Sequence, residues 1–218
     1  MTPLLFVTWE RFARDQFARV LNVVSVLSFR YSIVSGLNPN ALEKVIHTAT
    51  KAVLAGEATH PAAVSTLLAP LWVDDTKFIR DFETLAIDTG GQGKRLVKYI
   101  LARLEQDASG RACDAETDPG TIEHVLPENP SAEWETMYPR ASWEAGVYRL
   151  GNLTLLEASL NRGIGNAGYA QKTMAYAGSG YALATEIPRK APVEWTPALL
   201  EKRQQRMAVR AAHVWRGL

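Results

Sequence analysis

Two short apolar stretches, TIEHVLP at residues 121–127 and GNLTLLE at residues 151–157, differ in residue pattern from the rest of the chain. GNLTLL is rich in leucine and follows a glycine, and both stretches are typical of short strands. In the first, Glu123 and His124 stand side by side, and a proline ends the run three residues later. The chain has 4 histidines in 218 residues. A histidine beside a carboxylate at the end of a strand is therefore a candidate for chemistry.

The residue types around these strands suit hydrolysis of a phosphodiester. An imidazole can take the proton of the attacking water, and a divalent cation held by oxygen ligands can stabilise the developing charge. Asn152 could hold the histidine or its loop, Asn161 could offer its carbonyl oxygen to the ion, and Arg162 could clamp a phosphate. A fully extended strand would point Glu123 and His124 to opposite sides, unless a local bend brings both toward one cavity.

The first half of the chain predicts helices. Residues 8–35 carry apolar positions at helical spacing, which indicates one buried stripe. Asn38-Pro39 is typical of a helix start, and Gly56 of a helix end. Further helices are predicted near residues 62–71, 76–87, 94–106 and 196–215.

Residues 107–120, DASGRACDAETDPG, are polar, contain Gly and Pro and show no periodicity. We predict a linker there. It would divide a helical domain at residues 1–106 from a second region at residues 121–218, which ends in a basic helix.

Composition restricts the partners and the compartment. The net charge is +1, so a nucleic-acid surface would have to be local. The single cysteine excludes an internal disulfide and a cysteine-rich zinc site and suits a reducing cytosol. No uninterrupted apolar run reaches the roughly 18–20 residues of a membrane span. The start of the chain lacks the features of a signal peptide. We therefore expect a cytoplasmic protein that does not enter a membrane.

Taken together and in order, IEHVLPE and RLGNLTLLEASLNRGIGNAGYAQK resemble a known family. They are similar to the HNH-type (ββα-metal) nuclease domain at the C-terminus of GmrSD-like modification-dependent restriction proteins. SspE-type anti-phage proteins belong to the same group. The resemblance covers roughly residues 75–218. It implies a mainly α fold, a helical bundle with a small inserted ββα-metal motif.

The resemblance also implies a role for each matched residue. Glu123 would be a metal ligand, His124 the general base, and Asn152 the residue that positions the histidine. Asn161 would be the second ligand of Mg²⁺ or Mn²⁺. Weaker contacts to DNA phosphates are expected from further residues, namely Arg162, Asn166, Lys172, Arg203, Arg206 and Arg210.

Two features depart from the family. Glu123 stands where related enzymes usually carry Asp, and the CxxC pairs that brace many HNH domains are absent. Full-length relatives also carry an N-terminal nucleotide-binding sensor domain. We expect that domain in a separate subunit or in a longer protein.

The function expected from the sequence is a metal-dependent DNA endonuclease or nickase of a phage-defence restriction system, contacting mostly the DNA backbone. The main alternative is a non-catalytic DNA-binding or regulatory module with a degraded HNH site. A helical protein-interaction domain and an RNase are further alternatives.

Overall fold

The computed structural model describes residues 1–217, which fold into helices and one two-stranded sheet. These residues form two compact units. The first contains residues 1–81 and 215–217, and the second contains residues 82–214. All residues of the predicted site belong to the second unit. The mainly helical composition agrees with the predicted fold class.

The first unit is built from helices alone. They are α1 (Thr2–Arg11), α2 (Arg14–Ser28), α3 (Pro39–Leu54), α4 (Pro61–Leu68) and α5 (Asp75–Phe82), whose last residue already belongs to the second unit. The predicted start of α3 is confirmed: Asn38 Oδ1 accepts a hydrogen bond from the Asn40 amide at 2.9 Å. Gly56 follows the helix with φ of +74°, a conformation that glycine adopts without strain. The single helix predicted over residues 8–35 is instead two helices, because the chain breaks at Phe12 and Ala13.

The second of these helices continues through a π-helical turn at Phe29–Val34. The combined helix Arg14–Val34 is long and apolar enough to cross a membrane by length and composition, although half of that window is buried in the fold. The sequence prediction missed it because it considered only uninterrupted apolar runs. Arg30 lies within this helix and is fully buried, donating to the carbonyl of Val73 at 2.9 Å. A core helix has these properties as well, so length and apolar composition do not decide its environment.

The second unit contains the sheet. Its elements are α6 (Gly91–Ser109), β1 (Thr121–His124), α7 (Trp143–Val147), β2 (Leu153–Leu156), α8 (Ala158–Ile164), α9 (Tyr169–Ala177), α10 (Ala182–Lys190) and α11 (Pro197–Val214). β1 and β2 pair antiparallel, with Glu123 opposite Thr154 and His124 opposite Leu153. α6 packs against both strands, and α8 packs against β1. In chain order β1 and β2 come before α8, and α7 lies between the two strands.

The boundary between the units does not fall at the predicted linker. Residues 107–120 lie inside the second unit, and the division comes earlier, between Asp81 and Phe82. The segment is fastened by Asp118, whose carbonyl accepts from Lys98 Nζ at 2.7 Å and whose carboxylate accepts from the Tyr181 hydroxyl at 2.5 Å. Its lack of periodicity reflects an irregular but anchored conformation.

α11 presents a polar face to the interior of this unit. Gln204 is fully buried, and its amide nitrogen donates to the carbonyls of Phe82 and Leu85, while its oxygen accepts from the Gly151 amide. Arg203, one residue earlier, donates to the carbonyls of Gly151 and Leu153. α11 therefore fixes the backbone that leads into β2.

Candidate active site

Asn152 fixes the chain that leaves β1. Its side chain is fully buried and makes four hydrogen bonds. Oδ1 accepts from the Leu126 amide at 2.8 Å and from Trp195 Nε1 at 3.1 Å, and Nδ2 donates to the carbonyls of Leu126 and Val147. The partners in these bonds are residues that follow His124 in the chain, and the His124 ring is not among them. Of the two roles suggested by the sequence, the geometry places Asn152 at the loop.

Glu123 points toward α9 and is almost fully buried, at 4% exposure. Its Oε1 accepts from Lys172 Nζ at 2.7 Å and from the Tyr176 hydroxyl at 2.7 Å. Lys172 Nζ also donates to the carbonyl of His124 at 2.6 Å. The carboxylate thus joins β1 to α9 through a buried ion pair.

His124 faces a different set of residues. Its Nε2 lies 3.4 Å from Thr89 Oγ1 and 3.7 Å from Glu128 Oε1, and its ring meets Tyr148 edge to face at 6.0 Å. Its side chain is 14% exposed. Glu123 and His124 therefore contact different elements, as neighbours on an extended strand do. No bend brings the two side chains together.

Burial dominates the electrostatics on both sides of β1. It lowers the pKa of the His124 imidazole; Lys172 lowers this pKa too, while Glu128 and Asp88 raise it. Burial also raises the pKa of Glu123, against the opposing effect of Lys172. A lowered pKa favours the neutral imidazole near pH 7, the form that can accept a proton.

Asn161, on α8, is bound to the start of β1. Its Nδ2 donates to Thr121 Oγ1 at 2.9 Å and to the carbonyl of Ile122 at 3.0 Å. This orientation leaves the amide carbonyl as the group that could meet a ligand. The three predicted segments of the site, β1, the entry to β2 and α8, therefore do lie together.

A comparison with known families finds a match that covers these segments. Residues 72–210 match the family described as GmrSD restriction endonucleases, C-terminal domain. The chain belongs to this family. Among curated proteins, none matches it. As a member of this family, the GmrSD-family domain belongs to the restriction endonucleases, which are nucleases that act in defence.

The predicted metal ligands of this GmrSD-family domain are chemically suited to a divalent cation, but they are not arranged to bind one. Carboxylate and amide oxygens are ligands that Mg²⁺ prefers. However, the Lys172 ammonium already compensates Glu123 at 2.7 Å, and a cation placed there would meet a like charge. Within residues 1–217, no group of three or more His, Cys, Asp or Glu side chains is placed to hold a metal. As arranged, the predicted ligands do not fit the ion.

Two of the expected phosphate contacts are inside the protein. Lys172 is 1% exposed and Arg203 2% exposed, and both are bonded to internal acceptors. Burial lowers the pKa of Arg203 to about 10. These two residues stabilise the fold in place of contacting DNA. The charge of both residues is evident from the sequence, but their burial is not, because basic residues are mostly exposed.

The remaining basic positions differ in their surroundings. Arg162 and Asn166 are exposed. Arg206 pairs with Glu186 at 3.1 Å, and Arg210 lies 3.5 Å from Asp107. Each of these two arginines therefore already lies beside an acidic side chain.

Several residues around the strand were not singled out from the sequence. Glu128 lies within the quoted motif, but nothing in its spacing marks it. Thr89 and Tyr148 are 35 and 24 positions away from His124 in the chain and carry no motif of their own. Tyr176 lies four residues after Lys172 on the same helix face, which is the one local signal that could have paired them.

Proposed function

We propose that this GmrSD-family domain cuts DNA by hydrolysis of a phosphodiester, with His124 as the general base. The observation that supports the proposal is the half-buried imidazole at the end of β1, among polar groups that lie next to it: Thr89, Glu128 and Tyr148. An imidazole at this position can take a proton from an attacking water as the water oxygen bonds to phosphorus. The bond from phosphorus to the leaving 3′-oxygen then breaks.

The effect of burial on His124 supports the same role. Since burial lowers the pKa of the imidazole, the neutral form prevails near pH 7 and can accept the proton of the water. The proposal includes action in a phage-defence system, nicking of one strand per event, and DNA contacts made mainly to the backbone. Because one general base activates one water at a time, one strand is cut in each event.

A divalent cation, Mg²⁺ or Mn²⁺, stays a prediction from the family resemblance. When bound, it would supply electrostatic stabilisation of the phosphoryl oxygens. A nucleotide-binding sensor domain or subunit as partner is likewise proposed from the resemblance alone.

A plasmid-nicking assay tests the proposal. Supercoiled DNA is incubated with the wild type, His124→Ala and His47→Ala, in Mg²⁺, in Mn²⁺ and in EDTA. His47 is exposed on α3, so its variant controls for loss of a histidine away from the site. We expect the wild type and His47→Ala to nick alike, and His124→Ala to be slower by about 10²–10⁴-fold, the usual contribution of a general base.

Nicking by His124→Ala at the wild-type rate would rule out the proposed base. Equal rates in EDTA and in Mg²⁺ would show that the cation prediction is wrong and leave the base untouched. RNA and single-stranded DNA tested alongside would separate a DNase from an RNase.

One contact favours a second function, a DNA-binding or regulatory module. The ion pair between Glu123 and Lys172 occupies the carboxylate predicted to bind the cation. A module of this kind retains DNA in a gel-shift assay, while neither the wild type nor His124→Ala nicks it under any of the three conditions.

A further inference from the structure

The hydrogen bonds around His124 determine which of its ring nitrogens carries the proton. Nε2 lies 3.4 Å from Thr89 Oγ1 and 3.7 Å from Glu128 Oε1. Thr89 Oγ1 in turn donates to the same Glu128 oxygen at 3.2 Å. The three groups form a closed triangle of one imidazole, one hydroxyl and one carboxylate.

For a neutral ring, one arrangement of the hydrogens satisfies both contacts of Thr89. A threonine hydroxyl has one hydrogen to donate, and an ionised carboxylate only accepts. Because Thr89 gives its hydrogen to Glu128, its contact with His124 requires the hydrogen to lie on Nε2. The carboxylate near Nε2 favours the same placement.

The opposite nitrogen is then the basic one. In a neutral imidazole with Nε2 protonated, Nδ1 carries the lone pair. Within residues 1–217, the hydrogen bond of the ring to Thr89 and its contact with the Glu128 carboxylate both involve Nε2, and no hydrogen bond involves Nδ1. Nδ1 is therefore the nitrogen left to meet a ligand.

We infer that Thr89 and Glu128 are positioning residues that hold His124 as the Nε2–H tautomer, so that Nδ1 accepts the proton of the attacking water. The role of Nδ1 rests on the proposed function, whereas the tautomer does not. When Nδ1 takes the proton, the imidazole becomes a cation with Nε2–H directed at Thr89 and at the Glu128 carboxylate, which stabilises the new charge.

Tyr148 lies beside both His124 and Glu128. Its ring packs edge to face on His124 at 6.0 Å, and burial together with the nearby Glu128 carboxylate raises the pKa of its hydroxyl. Thr89 immediately precedes Gly90, the N-cap of the 19-residue helix α6, and the Gly90 amide donates to Asp88 Oδ1 at 2.6 Å. Asp88 and Lys172 are the other charged groups near the ring.

Nitrogen NMR of the full chain tests the tautomer directly. Histidine is labelled with ¹⁵N, and the His124 signals are assigned by their loss in His124→Ala. We expect the neutral ring of the wild type to be protonated at Nε2. Thr89→Val and Glu128→Gln, which keep the shape of the side chains, should each shift the ring toward the other tautomer.

Nicking kinetics on the same proteins test the positioning role. We expect kcat to fall by about 10-fold to 100-fold in Thr89→Val and in Glu128→Gln with KM nearly unchanged, the range found for partners that orient a ligand or base. Thr89→Ser keeps the hydroxyl and should retain activity. Glu144→Gln, at an exposed acid on α7, is the matched control and should match the wild type. Thermal unfolding of every variant shows that it is folded.

A neutral wild-type ring protonated at Nδ1 would overturn the inference. The inference would also be overturned if Thr89→Val and Glu128→Gln, both folded, kept the wild-type tautomer and the wild-type kcat. Failure of the proposed function gives a different result: His124→Ala would then nick like the wild type, while the NMR spectrum would still decide the tautomer.

Discussion

The contact between Lys172 and Glu123 is the residue-scale feature with the largest consequence for stability. Both side chains are nearly fully buried, and they lie 2.7 Å apart. Removal of one partner leaves the other charge buried without compensation, which costs about 3–5 kcal/mol. We therefore expect Lys172→Met to lower the free energy of unfolding by about that amount in urea denaturation.

The exposed Lys202 offers a control for this experiment. Lys202→Met should change the free energy of unfolding by less than about 0.5 kcal/mol. Replacing both partners, as in Glu123→Gln with Lys172→Met, should recover part of the loss, because no uncompensated charge then stays buried. Equal stability of Lys172→Met and Lys202→Met would contradict the buried pair.

Cys113 provides a residue-scale prediction with a defined pH dependence. Burial raises the pKa of its thiol from 9.0 to about 12, with Asp118 adding to the effect. Since the thiolate is the reactive form, iodoacetamide should modify the folded protein very slowly at pH 8–9 and rapidly after unfolding in urea. The folded state holds this proton more tightly than the unfolded state, so its contribution to stability is full below pH 9 and is lost between about pH 9 and 12. Equal modification rates of the folded and unfolded protein at pH 8 would refute the raised pKa.

At the scale of elements, Asn152 connects the end of β1 with the chain around it. Asn152→Ala removes four buried hydrogen bonds and leaves the Leu126 amide and carbonyl without their side-chain partners. Each buried group left unsatisfied costs about 1–3 kcal/mol, so we expect a loss of about 3 kcal/mol or more in the free energy of unfolding. Hydrogen exchange at the Leu126 amide should accelerate.

Two variants sharpen this prediction. Asn152→Asp keeps the acceptor for Leu126 and Trp195 but turns a second oxygen toward the carbonyls of Leu126 and Val147, so it should also be destabilising. Asn166→Ala, at an exposed asparagine in the turn before α9, should leave the free energy of unfolding nearly unchanged. If Asn152→Ala behaves like Asn166→Ala, the buried network does not hold the loop.

Local sequence signals predicted those elements whose ends are determined locally. Asn38-Pro39 and Thr196-Pro197 mark helix starts because cap and first-turn geometry depend on neighbouring residues alone; Thr196 Oγ1 accepts from the Leu199 amide at 3.3 Å. The segment 107–120 has the sequence pattern of a linker because its anchor, Tyr181, is 63 positions from Asp118 and leaves no local signal.

The candidate site shows the same limit. The resemblance located the strand, His124, Asn152 and α8, all of which carry motif residues. The hydrogen-bond partners of these residues, Lys172 for Glu123 and Thr89 for His124, are 49 and 35 positions away and meet them only in the folded chain. Burial of a lysine or an arginine is likewise a tertiary property, so sequence alone predicted surface contacts for both.

On the scale of the whole molecule, charge is balanced overall but uneven along the chain. The net charge is +1, while the segment from Glu105 to Glu135 is strongly acidic and α11 is basic. Since Arg203 is buried and Arg206 and Arg210 lie beside acids, the exposed basic surface of α11 is smaller than its composition indicates. Few phosphates can therefore be neutralised at once.

Binding of DNA should accordingly be weak at physiological salt and should strengthen as salt is lowered. Each phosphate contact contributes about −0.9 to the slope of log K against log salt concentration. We expect Arg162→Ala, at an exposed arginine on α8, to reduce the slope by about that amount. Arg203→Met should leave the slope unchanged, provided that thermal unfolding shows the variant folded, because its guanidinium donates to the carbonyls of Gly151 and Leu153 inside the protein. Fluorescence anisotropy with a labelled duplex at several salt concentrations measures both. The opposite result would be a reduced slope in folded Arg203→Met and a wild-type slope in Arg162→Ala. It would place the DNA on α11 and not on the face that carries α8.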